Sequence, residues 1–247
     1  MKSFLTFLLI ASTASSATVF SKKDFTLALG AQANSLIYKR GIITYEGYQV
    51  VPIYSVSLFR KDLFIAGSAL YYNLEIINKI RLLSRLNINA TKDEPLYITD
   101  EKEEERVRRD KTNEFDLFLQ YDFTHSSYIR LEYSKDLVAH HGEYTALHLR
   151  YDFKDSGAPT LIQPGLFVSL GQGDKAHNEY LYGAGADSGL NNIEYGFSII
   201  SPKAIDNFWP TLKITRFEIL GNENRDATFV QKKDGISLQL IVAKRLF

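Results

Sequence analysis

Cysteine is absent from the 247 residues, methionine and tryptophan occur once each, and 29 basic side chains are balanced by 29 acidic ones. Without cysteine there is no disulfide framework, thiolate nucleophile, iron–sulfur cluster or cysteine zinc site. Without a basic excess the chain lacks the charge that neutralises phosphates, which argues against a nucleic-acid partner. Beyond the N-terminus no stretch approaches the ~18 consecutive apolar residues of a membrane-spanning helix. What is present is 45% hydrophobic residues and 13% aromatics, among them 16 Phe and 15 Tyr. That content excludes a disordered chain and calls for a large folded structure.

Residues 1–17 are organised as a secretory signal. Lys2 supplies a positive start, Phe4 to Ala11 an apolar stretch, and Ser15-Ser16-Ala17 small residues suited to cleavage. The expectation is an exported protein whose residues 18–247 form a single domain. With no apolar helix to cross a membrane, two forms remain: a soluble exported protein or a transmembrane β-barrel, in which only alternate residues face lipid.

Alternation establishes the strands, and strand number, aromatics at strand ends and the terminal residue then favour the membrane form. Phe115, Leu117, Leu119, Tyr121 and Phe123 fall on one face, and Glu114, Asp116, Gln120 and Asp122 on the other. Leu147, Leu149, Tyr151 and Phe153 repeat the pattern opposite Tyr144, His148, Arg150 and Asp152. Similar period-two runs begin near residues 25, 50, 62, 76, 129, 162, 193, 208 and 236, spaced as an antiparallel meander. Eleven strands exceed the eight of a soluble ligand-binding barrel. Single-chain bacterial barrels have even strand numbers, so Asn178 to Ala184 is taken as the missing strand. The expected fold is therefore an all-β, up-and-down transmembrane barrel of about twelve strands in the outer membrane, with ten as the alternative.

Aromatics at strand ends, namely Tyr71-Tyr72, Tyr121 with Phe123, Tyr151 with Phe153 and Phe208-Trp209, suit interfacial girdles. A terminal Phe247 looks like an outer-membrane assembly signal, although it stands one residue out of phase with Ile236, Leu238, Leu240 and Val242. With the apolar faces toward lipid, the lumen receives Arg81, Arg85, Glu114, Asp116, Arg130, Glu132, Arg150 and Asp152, together with Glu75, Lys79, His148 and Lys213. These groups either satisfy one another as ion pairs or line a narrow wet passage. Segments 35–46, 91–112, 171–190 and 220–234 are expected as long loops, with the charged run Asp100 to Asp110 a solvated loop or helical turn.

No cofactor or metal site is expected. His140 and His141 are adjacent, so on a strand they point to opposite faces and suit one metal poorly. Gly171-Gln172-Gly173 and Gly183-Ala184-Gly185 are expected to be loop hinges, with no helix following to cradle a phosphate. A hydrolase set of Ser134, His140 or His141 and Glu143 is conceivable, but nothing fixes a serine within reach of a histidine, and a non-enzymatic chain is expected.

Several ordered motifs resemble the MipA/OmpV (MltA-interacting protein) family of Gram-negative outer membranes. Tyr45-Glu46-Gly47 leading to Pro52, Lys92-Asp93-Glu94, His141-Gly142, Asn178-Glu179-Tyr180-Leu181-Tyr182-Gly183 and Ser188-Gly189-Leu190 carry the resemblance. Fewer strand glycines, and Thr91-Lys92 where the family has Gly-Arg, mark a divergent sequence. The resemblance implies an outer-membrane barrel without catalytic residues. It also implies a scaffold for a lytic transglycosylase and a peptidoglycan synthase, or a role in adhesion. A narrow channel for small solutes is the alternative.

Overall fold

The alternating pattern closes on itself. A computed structural model describes residues 26–58, 62–88, 96–98, 104–106, 110–124, 127–153, 163–201, 208–230 and 232–246. The proposed signal (1–17), Lys92-Asp93-Glu94 and Phe247 lie outside the described residues. In chain order the elements are β1 (Thr26–Lys39), β2 (Ile42–Leu58), β3 (Leu63–Ala66), β4 (Ala69–Ile77), β5 (Ile80–Ile88), β6 (Leu96–Ile98) and β7 (Glu104–Arg106). Then come β8 (Asn113–Asp122), β9 (Tyr128–Asp136), β10 (Glu143–Asp152), β11 (Gln163–Gly173), α1 (Lys175–Tyr182), β12 (Gly189–Ile200), β13 (Phe208–Ile219), α2 (Asn222–Arg225) and β14 (Asp234–Arg245). All strands except β6 and β7 form one closed antiparallel barrel of twelve, sealed where β1 pairs with β14 from Ala28↔Arg245 to Asn34↔Gln239.

The count of twelve is reached by a different route from the one expected. Asn178 to Ala184 is not a strand: it falls in α1 and the turn after it. The additional strand comes from residues 62–88, where Gly67-Ser68 and Asn78-Lys79 make two tight reversals and divide the run into β3, β4 and β5. The run Asp100 to Asp110 is also partly extended, since Glu104–Arg106 pairs with Leu96–Ile98. Segment 35–46 is not a loop. β1 and β2 continue through it to the two-residue turn Arg40-Gly41, where φ is 49° and 87°. Paired positive φ values fit the I′ hairpin geometry that matches strand twist.

The distribution of side chains is inverted relative to a soluble barrel. Leu131 is 54% exposed and Leu240 45%, whereas Asp116 is 0% and Glu114 2% exposed. A closed sheet with an apolar exterior and a charged interior satisfies its backbone internally and requires hydrocarbon outside. The chain is thus a transmembrane β-barrel of the outer-membrane type. One rim carries both ends of the sheet and tight turns such as Asn78-Lys79. The opposite rim carries the β1–β2 tip, α1 and α2. These are called the turn rim and the loop rim; in such barrels short turns are periplasmic and longer loops external.

Aromatic placement follows strand alternation. Tyr121 with Phe123, and Tyr151 with Phe153, meet edge-to-face on the outer surface at the turn rim. Adjacent aromatics split between faces: Tyr72 and Phe208 face outward, while Tyr71 lies under the Arg85 guanidinium and Trp209 shares the inward phase of Thr215 and Phe217. Only one member of each such pair can belong to a girdle.

Candidate functional site

The candidate site is the barrel interior and the seal over its loop rim. Cross-strand register brings opposite charges together on the inner wall. Arg85 stands opposite Asp116 and donates Nε to its Oδ2 at 2.5 Å. Arg81 donates two bonds to Asp122, at 2.7 and 2.8 Å. Arg130 donates Nε to Gln120 Oε1 at 2.7 Å, with its guanidinium 4.6 Å from the Tyr128 ring centre. Arg150 pairs with Asp152 at 2.9 Å and reaches across to Ser198 Oγ, also at 2.9 Å. Glu132 lies 3.8 Å from both Arg40 and Arg85 and 2.7 Å from His148 Nε2. Of the residues expected in the lumen, Arg81, Arg85, Asp116, Arg130, Glu132, Arg150 and Asp152 thus each contact a polar partner on the inner wall, and Glu114 does so through Lys39 and Arg40. Lys79 belongs instead to the β4–β5 turn. Removing the partner of a buried member, such as Asp116 or Glu114, strands its charge away from water.

Larger groups occupy the space beside several glycines. A Cβ at Gly171 would overlap the Tyr144 hydroxyl, one at Gly165 the Asp152 carboxylate, one at Gly196 would crowd Phe167, and one at Gly235 would press on Phe217. Each large group lies in the space its glycine leaves open. Tyr144 is 4% exposed, Phe118 5% and Phe217 0%.

The seal at the loop rim comes from two directions. Register shifts between Asn34 and Leu36 and between Ile37 and Tyr38 bend the β1–β2 hairpin, as bulges do. Its tip enters the mouth. Tyr38 stacks on Phe217 at 4.2 Å, while Lys39 Nζ and Arg40 Nη1 reach Glu114 Oε1 at 2.9 and 3.2 Å. Arg40 also lies over the Tyr144 ring at 3.9 Å. From the other side comes α1, started by Asp174, whose carboxylate accepts the His177 amide at 2.8 Å. Leu181 and Tyr182 pack with Ile42, Ala186, Ile219 and Ala227. The Tyr182 hydroxyl donates to the Arg40 carbonyl at 2.7 Å and contacts the Asn191 side chain, tying α1 to the hairpin tip.

Two imidazoles are built into this seal. His177 Nε2 lies 3.3 Å from Arg40 Nη1; a guanidinium only donates, so Nε2 accepts. His140 Nδ1 accepts the Gly142 amide at 2.9 Å, and its ring lies against Tyr180 at 4.4 Å and His177 at 5.5 Å. Burial and the adjacent Arg40 hold His177 well below the usual histidine range. Burial also lowers His140, against the opposing pull of Asp136.

Sequence reasoning did not place Lys39, Arg40 or His177 in the site, and it put Tyr182 on a strand. Arg40 was hidden by reading 35–46 as a loop. The α1 signal was legible in Asp174 three residues before His177 and in Gly183, which ends the helix at φ 94°. A helix does follow Gly171-Gln172-Gly173, contrary to expectation, but Asp174 caps its first turn.

The conceivable hydrolase set is not assembled. Ser134 Oγ donates to Glu132, and Glu143 pairs with Lys135. A different chain, Ser169 Oγ to His148 Nδ1 at 2.8 Å and His148 to Glu132, was not foreseen. Ser169 is buried and stands opposite Glu194 in the β11–β12 ladder.

No known family model matches the chain, and no curated protein matches it by sequence. Solved structures with a similar barrel include the NanC porin, at 9% identity and TM-score 0.45, covering 89% of this chain and 98% of that one. A bacterial polysaccharide outer-membrane secretin matches at 8% identity and TM-score 0.48, covering 92% and 100%. A loop-deletion form of OmpT, an outer-membrane protein of Vibrio cholerae, matches at 7% identity and TM-score 0.42, covering 90% and 98%. At these identities none of them passes a residue role or an activity to this chain.

Proposed function

We propose that this chain is a MipA/OmpV-type barrel that works as a closed anchor in the outer membrane, presenting its rims to envelope proteins such as a lytic transglycosylase and a peptidoglycan synthase, or to an adhesion partner. The observation that carries this reading is the obstructed loop rim: charges are paired, rings lie over glycines, and the mouth is closed by the hairpin tip and α1. A barrel built to conduct would keep its lumen wet and unobstructed. Planar-bilayer recordings of purified protein at neutral pH should show no stable open steps. A pulldown from envelope extract should recover peptidoglycan-remodelling enzymes; a clean failure to do so argues against the scaffold.

A narrow channel is the second reading. It is favoured by a cavity of about 530 Å³ at the turn rim, lined by Glu75, Asn78, Lys79, Arg81, Asp122, Phe123 and Thr124. Its lining is largely polar and charged.

A further inference from the structure

We propose that the loop-side seal is an acid-released gate: proton uptake by His177, assisted by His140, drives the β1–β2 tip and α1 apart and opens the interior to small solutes. This goes beyond the closed anchor, which describes the neutral state alone.

The geometry carries the proposal. In the closed form the acceptor nitrogen of each imidazole is already engaged by an N–H donor: Nε2 of His177 by Arg40 and Nδ1 of His140 by the Gly142 amide. Neither ring can take a second proton without giving up that contact. Protonated His177 would also place a cation 3.3 Å from a guanidinium. The groups facing His177 are weighted toward positive charge and burial. Lys39 and Arg40 come from the hairpin tip, His140 from the β9–β10 connection and the Tyr144 ring from β10 at 5.3 Å. On the β11 side stands Gly173, and Asn224 of α2 accepts the Asp187 amide in the connection that follows α1. The nearby carboxylates have other direct partners, although Glu114 and Asp174 also favour protonation of His140. Glu114 and Glu132 face Arg40, and Asp174 caps α1 through the His177 amide. Asp136, 4.0 Å from His140 Nε2, favours protonation of that ring, but one of its oxygens also accepts amides from Val138 to His141. His177 is therefore the principal trigger and His140 the lesser one.

The sign follows from linkage. Both histidines bind protons less readily in the closed form than when hydrated, so the closed form is fully favoured above the hydrated histidine pKa of about 6.5. As pH falls below that value the open form gains protons the closed form cannot. The open-to-closed ratio then rises by up to about tenfold per pH unit for each proton taken up.

The experiment is bilayer conductance and pH-corrected hydrogen exchange of the wild-type full chain at about pH 7.5 and pH 5. Acid should bring stable open steps and faster exchange of amides 174–183, with a pH slope approaching two protons. His177→Gln should lower that slope by about one proton, and His140→Gln by less. An acid response absent from both readouts in the wild type overturns the gate, as does an undiminished response in the variants. If H177Q does not fold, as judged by heat modifiability, H140Q and wild-type exchange still decide the outcome. Current at neutral pH would defeat the closed anchor, whereas the gate stands or falls on the pH dependence.

Discussion

The two rims of the barrel handle charge in opposite ways. At the turn rim Arg81 and Asp122 form a two-bonded pair on strand ends, with side chains 33% and 16% exposed beside an open cavity. At the loop rim Arg40 and Glu114 meet with side chains 9% and 3% exposed, covered by α1. The first arrangement belongs to the wall and is largely solvated. The second joins Glu114 of β8 to a bent β1–β2 tip that extends past the end of the β1–β14 pairing at Asn34, and it is covered by a capped helix that is not part of the ladder. The loop-rim closure can therefore be displaced while the wall remains intact.

The largest expected effect is at the loop rim. Arg40→Ala leaves Glu114 buried with Lys39 as its remaining cation and should cost about 3–5 kcal/mol. The readout is denaturant unfolding in micelles, followed by the fluorescence of the only tryptophan, Trp209, at the far rim. The same variant should conduct at neutral pH. Gly171→Ala forces the Tyr144 ring out of its place and should cost about 1–3 kcal/mol by the same assay. Tyr182→Phe removes the tie to the Arg40 carbonyl and should cost about 1–2 kcal/mol. The smallest effect is expected at the turn rim, where Arg81→Ala should cost about 0–1 kcal/mol because the pair is screened by water. Equal losses from R81A and R40A would erase the difference between the rims.

The wall was far more legible in the sequence than the seal. Residues 114–123 show both faces of a strand because each position is read by only two environments, lipid or lumen. The same simplicity misled at Asn178 to Ala184, where Tyr180 and Tyr182 mimic strand alternation inside a single helical turn and a half. It also hid the β3–β4 reversal, since two residues, Gly67 and Ser68, are too short an interruption to break the pattern. The seal depends on contacts between residues far apart in sequence, such as Arg40 with His177 and Tyr38 with Glu194. No local period encodes such contacts.

The β1–β14 seam carries a kinetic consequence. Gln239 bonds to Asn34 and Ser237 to the Leu36 carbonyl, contacts separated by 205 and 201 residues, whereas the other ladders join strands close in the chain. Loop-closure entropy makes such a ladder the slowest to nucleate, so the seam is expected to zip last. The strand that completes it is the one that carries Arg40 into the mouth. Assembly of the cylinder and delivery of its stopper thus become a single late event, and the nascent barrel stays open along one side until that event occurs.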